Sequence, residues 1–430
     1  MISTITRKVI HDKIGILFFG LVTILLLLNV FTPLRLNTDG TRYLNILQYF
    51  EGLFDKNSGP AKDFLPHGYP WLLFVLDKLG ILNAASICLI NIISFLLACY
   101  ILTKILPVEN KWVFYGLVLL SFVYIKHTTL PVSDPLFVLL FMSAIYFWSG
   151  YFNGNKNYIL PCLLITIVAI YVRTVGIIIV PSITLYIAFK NKKQLFQNRL
   201  LLYVLSFALF AGLIVFFYKL PFLESKVSYL QQLKIMTMMK QPYSIVDRLS
   251  MHLKETGEIF LNVPYSKLTL LKIGNFDIAY YLLIVAGITA LYISFLCTVR
   301  LKLFDKLIFW VLATYTLMIF LWPFNDARFL MPIIPVMLYL VFVYLFKFSE
   351  KKPMKIGLLC IYISLGLLSL IYSDALSLNK NFFLNHYGFD PQLTSDYRTH
   401  FGNKASSADT KNSYNIENEN VLYLLDKYDK

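Results

Sequence analysis

Long apolar runs separated by short polar gaps dominate this sequence. A helix needs about 20 apolar residues to cross roughly 30 Å of hydrocarbon. Nine runs fit that requirement, at residues 14–31, 84–106, 112–130, 135–152, 200–219, 278–299, 304–322, 329–346 and 356–373. The pattern therefore predicts an all-α polytopic membrane protein.

A further apolar run, at 158–189, is too long for a single span. As one helix its 32 residues would extend about 48 Å, and Arg173 lies at its middle. Lysines flank both ends, with Lys156 before the run and three lysines between 190 and 193. Because lysine-rich ends favour the cytoplasmic side, we expect two short helices that leave and return, with Arg173 at the far turn.

The stretch 69–82 is too short to span a membrane. It has 14 residues and contains Asp77 and Lys78, so we expect an interfacial or re-entrant segment. The total is then eleven spans, with the amino terminus in the cytoplasm and the carboxyl terminus outside. No small-residue cleavage site follows the first run, which favours a retained span over a cleaved signal peptide.

The distribution of basic residues supports this topology. The cytoplasmic ends hold 17 lysines and arginines, and the short outer segments hold seven. The net charge of +15 is therefore a topology signal, and nucleic acid is not an expected partner. Charged residues make up 15% of the chain, where soluble domains average about 25%. This composition excludes a soluble enzyme.

The sequence divides into two regions. Residues 1–373 form the expected transmembrane domain, with outer loops at 32–68 and 220–277, and residues 374–430 form a short polar extracytoplasmic tail, too small for a substantial core. The second outer loop fits amphipathic helices on anionic lipid, a lid over a site, or a partner-binding surface of a scaffold. Its bases and methionines are Lys226, Lys234, Lys240, Arg248, Lys254, Met236, Met238 and Met239.

Four ionisable residues from distant parts of the sequence reach the same outer face in this topology. They are Asp39, Asp134, Arg173 and Arg328. Charged groups at membrane depth are costly and indicate function when several share one face. Two carboxylates with arginines suit a reaction in which a hydroxyl loses a proton while a phosphate leaves as an anion.

Both carboxylates also have a structural explanation. Asp39 could cap a helix that runs through Leu44. Asp134 precedes Pro135, and aspartate at the N-cap with proline at the first helical position is a common helix start. The sequence leaves both alternatives open.

Arg328 and His67 each have a structural and a functional explanation, whereas Arg173 is harder to explain by structure alone. Arg328 could be a snorkelling flank, with Asn325 or Asp326 as the helix cap. Arg173, held near the hydrocarbon boundary by short hairpin arms, needs an anionic or carbonyl partner. His67, in Pro-His-Gly-Tyr-Pro at 66–70, fits a loop residue or a ligand.

At these positions the sequence resembles the GT-C superfamily of integral-membrane glycosyltransferases, which includes the protein O-mannosyltransferases and the aminoarabinose transferases that act on lipid A. Four segments are similar to motifs of that group: Asp-Gly-Thr-Arg-Tyr at 39–43, Ser-Asp-Pro-Leu-Phe at 133–137, Tyr-Val-Arg-Thr-Val-Gly at 171–176 and Asp-Ala-Arg-Phe-Leu-Met-Pro at 326–332. They follow the family's order, and the likeness covers about residues 14–346.

The resemblance implies inverting transfer of a sugar from a polyprenyl-phosphate donor to a hydroxyl of a glycan, lipid or protein, at the extracytoplasmic face of a bacterial inner membrane. Asp39 would accept the hydroxyl proton if partial burial raises its pKa. Asp134 would orient the acceptor or share a divalent Mg or Mn ion with Asp39. The implied phosphate ligands are Arg173, Arg328 and, more weakly, Arg42, and the implied supporting residues are His67, Tyr43 and Asp326.

Two departures from the family pattern leave parts of this expectation open. The first loop has Asp-Gly where many members have Asp-Glu or Asp-x-Asp, so a bound metal is not indicated by the motif itself. The tail is short compared with members that carry a large soluble carboxyl-terminal domain, so the sequence does not indicate which region would recognise the acceptor. A transporter or flippase of lipid-linked sugars is the alternative function, although the two halves of the sequence show no inverted repeat.

Overall fold

The computed structural model describes residues 2–56, 58–63, 65–190, 244–273, 276–348, 352–387, 391–402 and 420–429. Its helices in chain order are α1 (Ile2–Leu28), α2 (Thr38–Phe50), α3 (Gly68–Lys78), α4 (Ala84–Ile105), α5 (Lys111–Leu119), α6 (Phe122–Thr128), α7 (Asp134–Phe152), α8 (Ile159–Val172), α9 (Ile179–Lys190), α10 (Ile245–Leu261), α11 (Ile278–Arg300), α12 (Leu307–Phe320), α13 (Ile334–Val343), α14 (Lys352–Leu378), α15 (Lys380–His386), α16 (Pro391–His400) and α17 (Val421–Tyr428). Two-residue strands, β1 (Lys272–Ile273) and β2 (Phe276–Asp277), pair antiparallel.

Six stretches in the described residues are long and apolar enough to cross a bilayer: Asp12–Phe31, Ala84–Ile105, Asp134–Phe152, Ile278–Arg300, Ala327–Phe348 and Lys355–Leu378. Three apolar helices are shorter: Lys156–Val172, Thr174–Lys190 and Leu307–Phe320. The fold is therefore all-α and that of a multi-pass membrane protein. The expected span at 200–219 lies outside the described residues, and the total of eleven stays a prediction.

The apolar run at 158–189 divides at Arg173, as its length and charge predict. Arg173 is extended, with φ −147° and ψ 125°, and it separates α8 from a 3-10 turn at Thr174–Ile178 that leads into α9. The ring of Tyr186 near the end of α9 lies 5.0 Å from that of Phe152, the last residue of α7, which a short connection joins to the start of α8. The two arms therefore return to the same end of the bundle.

The run at 112–130 is not the single helix that its hydropathy predicts. It breaks at Leu120 and Ser121, between α5 and α6. The side chain of Asn262 accepts from the Phe122 amide at 2.7 Å and donates to the carbonyls of Leu120 and Tyr362 at 2.9 and 3.0 Å. One buried amide thus satisfies backbone groups that the interruption exposes, which is the condition for irregular backbone inside an apolar bundle.

Replacing Asn262 with leucine should destabilise the fold strongly. The change leaves one partly buried amide and two buried carbonyls without this partner, and an unsatisfied buried group costs about 1–3 kcal/mol. We expect a loss of about 3 kcal/mol, measured as a lower unfolding midpoint in detergent. Asn153→Leu, at an exposed position, is the control, and equal midpoints for the two variants would contradict the role of Asn262.

Contacts define two ends of the bundle. At one end, the Lys190 ammonium lies 3.4 Å from the carbonyl of Asp305, and the Arg300 guanidinium lies over the rings of Tyr344 and Phe348. At the other end, the first outer loop meets the starts of α7 and of the helix that follows Asp326. Lys190, Arg300 and Lys347, which are predicted to be cytoplasmic, lie at the first of these ends.

The segment predicted to be a separate polar tail shares a core with the first outer loop. α14 continues to Leu378, five residues past the expected boundary. The Tyr397 hydroxyl donates to the carbonyl of Leu34 at 2.6 Å and accepts from the amide of Leu36 at 2.8 Å. Leu424 and Leu425 of α17 are fully buried. The apolar residues in the described part of this tail cover the first outer loop, and the division of the chain at residue 373 stays a prediction.

Most of the stretch 69–82 lies in the short amphipathic helix α3, which ends at Lys78. Tyr69 and Leu73 face the protein, while Trp71 and Val75 are exposed. This pattern fits the predicted interfacial segment. Gly68 begins α3 against the backbone of Tyr171, where a Cβ atom would lie 2.6 Å from the carbonyl oxygen, so α3 and the end of α8 approach closely.

Candidate functional site

The four ionisable residues that the sequence places on one face meet at one end of the bundle. Asp39 lies in the first turn of α2, Asp134 begins α7, Arg173 follows α8 and Arg328 lies in the 3-10 turn Ala327–Ile333. Arg328 Nη1 lies 2.6 Å from a carboxylate oxygen of Asp39, and Arg173 pairs with Asp134. We call these two ion pairs the paired-charge site.

The ring of Phe329 contacts the arginine of each ion pair. The guanidinium carbon of Arg328 lies 5.3 Å from the ring centre, and that of Arg173 lies 6.0 Å away. Both distances are within the range of cation–π attraction. The two arginines therefore lie beside the same aromatic ring.

Asp39 does not cap its helix. Asn37 occupies the N-cap of α2, and its side chain accepts from the Gly40 amide at 2.8 Å. The Asp39 carboxylate instead faces Arg328 and, at 3.6 Å, Arg42. The capping role that the sequence allowed for Asp39 is therefore filled by Asn37.

The electrostatics of Asp39 differ from the sequence expectation. Burial alone would raise the pKa of Asp39, but the nearby guanidinium groups of Arg328, Arg42 and Arg173 together hold that pKa below its usual value. Asp39 is therefore a carboxylate at neutral pH. It can accept a hydrogen bond at once, but it is a weak base as long as the arginines stay beside it.

Arg42 is held by a residue that the sequence did not single out. Its Nε and Nη2 donate to the two oxygens of Asp63 at 2.7 and 2.6 Å, a bidentate arrangement. Asp63 lies in the first outer loop, 21 residues further along. Arg42 therefore braces this loop, and the geometry gives it less freedom to bind a phosphate than Arg173 or Arg328.

Asp134 is part of the site and not only a helix start. Ser133 occupies the N-cap of α7 and makes no side-chain cap bond. The Ser133 hydroxyl instead lies 2.8 Å from the hydroxyl of Tyr43, which joins α7 to α2. Burial raises the pKa of Tyr43 to about 12, so this phenol stays neutral and serves as a hydrogen-bonding support.

Arg328 is oriented by its neighbour in the sequence. Asp326 caps the 3-10 turn by accepting from the Arg328 amide at 3.0 Å, and its second oxygen lies 3.1 Å from Arg328 Nε. Burial would raise the pKa of Asp326, but Arg328, His127 and Lys126 lower it. Of the two caps that the sequence allowed, Asp326 is the one used, and Arg328 is engaged with carboxylates and does not act as a free flank.

His67 lies at the start of α3 and is buried. Its ring packs edge-on against Phe50, with centres 5.3 Å apart. Tyr69, two residues later, packs edge-on against Tyr43. The geometry therefore makes His67 part of the aromatic packing beneath the first outer loop.

The carboxylates at the site face arginines and not one another. Asp39, Asp63, Asp134 and Asp326 each contact a guanidinium group. Among the described residues, no group of three or more histidine, cysteine, aspartate or glutamate side chains has a geometry that could hold a metal ion. The arrangement does not fit a divalent Mg or Mn ion shared by Asp39 and Asp134, because each carboxylate is paired with an arginine.

The chemistry available at this site is anion binding beside a hydrogen-bond acceptor. The side chains of Arg173 and Arg328 remain 18% and 15% exposed, so a ligand can reach them. Guanidinium forks match phosphate oxygens as well as carboxylate oxygens. A phosphate that enters would compete with Asp39 and Asp134 for the same donors.

The chain matches no family model, no curated protein and no solved structure.

Proposed function

We propose that this protein is a membrane glycosyltransferase that moves a sugar from a polyprenyl-phosphate donor to an acceptor hydroxyl. The observation that carries the proposal is the convergence of two Asp–Arg pairs on Phe329 at one end of the bundle. The bases at the opposite end support a cytoplasmic location for that end, and the proposed location of the paired-charge site is the extracytoplasmic face of a bacterial inner membrane. The resemblance to the GT-C superfamily adds the donor class.

The proposed reaction is one displacement. The acceptor hydroxyl oxygen attacks the anomeric carbon, its proton passes to Asp39, and the bond between that carbon and the donor phosphate oxygen breaks. The electron pair stays on the oxygen, which leaves as polyprenyl phosphate. Configuration at the anomeric carbon is inverted because attack and departure occur on opposite faces.

The ion pairs make activation of the base depend on prior binding of the donor. In the free protein the arginines lower the basicity of Asp39. A bound phosphate would draw Arg328 and Arg173 toward itself, and the pKa of Asp39 would rise as their field is shared. The base thus gains strength when the donor is in place, and the same arginines stabilise the charge that grows on the leaving phosphate. Asp134 would orient the acceptor.

A second candidate function is transport or flipping of lipid-linked sugars. The observation that favours it is a group of buried ionisable residues on α10, namely His252, Lys254, Glu255 and Glu258. Buried histidine and carboxylate side chains occur in the proton relays of transporters. His252, Lys254 and Glu255 contact the polypeptide segment before Arg328, and Glu258 pairs with Lys254, which accounts for these residues without transport.

A reconstitution assay distinguishes the two candidates. Purified protein in liposomes would be given a panel of radiolabelled polyprenyl-phosphate sugars with hydroxyl acceptors. We expect loss of donor, release of polyprenyl phosphate and a labelled acceptor. Movement of intact donor between leaflets without release of polyprenyl phosphate would instead support the transporter and contradict transfer.

A further inference from the structure

Helix α10 binds the irregular segment that leads into the paired-charge site. Residues 322–326 form no regular structure between α12 and the 3-10 turn that carries Arg328. Arg248 of α10 donates to the carbonyl of Leu321 at 3.0 Å, and His252 Nε2 lies 2.8 Å from the carbonyl of Trp322. Carbonyls at a helix end lack intrahelical partners, and here side chains of α10 supply them.

The same helix also grips the side chain of Asn325. The amide of Asn325 is assigned the orientation that satisfies both of its neighbours, in which its nitrogen donates to the Glu255 carboxylate at 2.5 Å and its oxygen accepts from Lys254 at 3.2 Å. The segment is thus bound at its start through backbone carbonyls and near its end through one amide. Asp326, the cap of the Arg328 turn, is the next residue.

A buried histidine–glutamate pair fixes the orientation of this binding surface. The side chains of His252 and Glu255 are 0% exposed, and His252 Nδ1 lies 2.6 Å from the carboxylate. The carbonyl of Trp322 can only accept, so His252 Nε2 carries a hydrogen. A second proton lies between Nδ1 and Glu255, on one atom or the other, because two lone pairs would repel at that distance. The ring therefore has one satisfied orientation.

The sequence conceals this role. His252, Lys254, Glu255 and Glu258 have the spacing of the solvated side of an amphipathic helix, and one of the three alternatives for the second outer loop placed Lys254 on anionic lipid. In the structure Lys254 is buried beside Glu258, at 3.6 Å, and lies over the ring of Tyr265. The polar face of α10 is turned into the protein.

We propose that His252 and Glu255 are positioning residues for Arg328. They hold the segment through Trp322 and Asn325, and the adjacent Asp326 then directs the Arg328 guanidinium toward Asp39. The role of Arg328 as a phosphate ligand rests on the proposed function. The placement of its side chain by His252 and Glu255 does not. A displacement of about 1 Å in a group that binds the transition state can cost about a hundredfold in rate.

Hydrogen–deuterium exchange of the intact protein in detergent tests the positioning. Glu255→Ala should speed amide exchange in 321–328 by about tenfold and leave exchange in α4 and α7 unchanged. Glu255→Gln should restore slow exchange, because its amide can donate to Nδ1 of a neutral His252 and its oxygen can accept from Asn325. Glu258→Gln, which removes a buried carboxylate one turn away, is the matched control and should leave this segment unchanged.

Binding of a short-chain polyprenyl phosphate supplies the second measurement. Affinity should fall about tenfold in Glu255→Ala, about 1.4 kcal/mol, and should recover in Glu255→Gln. If Glu255→Ala does not fold, Asn325→Ala removes the same contact from the other side. Unchanged exchange at 321–328, or equal effects of Glu258→Gln, would overturn the inference. Absence of binding by the unaltered protein would count against the proposed function, and exchange would still decide the positioning.

Discussion

Replacing Asp39 with asparagine should reduce glycosyl transfer by about a thousandfold while the protein still inserts and folds. A positioned general base contributes roughly 10²–10⁴ to a rate, and asparagine cannot accept the proton. The amide is the same size as the carboxylate and keeps an oxygen toward Arg328, so the loss should appear in kcat more than in KM for the donor. Initial rates with a labelled donor give the measurement.

The matched control is Asp55→Asn, which makes the same change at an exposed position of the first outer loop. Its rate should stay within about twofold of the unaltered protein, as surface changes away from special contacts have small effects. The pH profile offers a second check. Because the arginines lower the pKa of free Asp39, the acid limb of kcat/KM should lie below about pH 4, the ordinary range for aspartate. Unchanged turnover in Asp39→Asn would remove Asp39 from the mechanism.

Exchange of Arg173 for lysine should lower donor kcat/KM by about a hundredfold, a change that conserves charge but not geometry. Lysine has no planar fork to pair with Asp134 and a phosphate together, and it loses the contact with the Phe329 ring. Loss of one donor to a developing anion typically costs about 10²–10³. Steady-state kinetics at varied donor concentration measure the effect.

Arg300→Lys is the control for Arg173→Lys, because Arg300 lies over aromatic rings at the opposite end of the bundle. It should change donor kcat/KM little. Unfolding midpoints of both variants would be compared with that of the unaltered protein. If Arg173→Lys lowers the unfolding midpoint as strongly as it lowers donor kcat/KM, the ion pair with Asp134 has a structural role and Arg173 is not a phosphate ligand.

The sequence predicted which charged residues would meet, because hydropathy and basic flanks alone determine which helix ends share a face. It could not predict how they pair. Whether Asp39 faces Arg328 or Arg173 depends on helix tilt and side-chain reach, and the pairing with Arg328 joins residues 289 positions apart. The direction of the Asp39 pKa followed from that pairing and was therefore outside the reach of sequence arguments.

Several structural features have no pattern in the sequence that would distinguish them from ordinary helix or loop residues. The break between α5 and α6 depends on Asn262, which lies 140 residues from Phe122, and the hydropathy of 112–130 is that of an unbroken span. Asp63 is one acid in a polar loop. His252 and Glu255 have the spacing of a solvated helical face, and only the partner segment shows that this face is buried.

The docking of α17 on the first outer loop has a consequence for biosynthesis. Gln48 donates to the Tyr428 hydroxyl at 2.6 Å across 380 residues of chain, and Lys427 binds Glu51 at the end of the same helix. At roughly 5–20 residues per second, a ribosome needs about 20–80 s to make the chain between these contacts. The helix that carries Asp39 is therefore synthesised well before α17, so nascent and truncated polypeptides lack the contacts that α17 makes with the first outer loop.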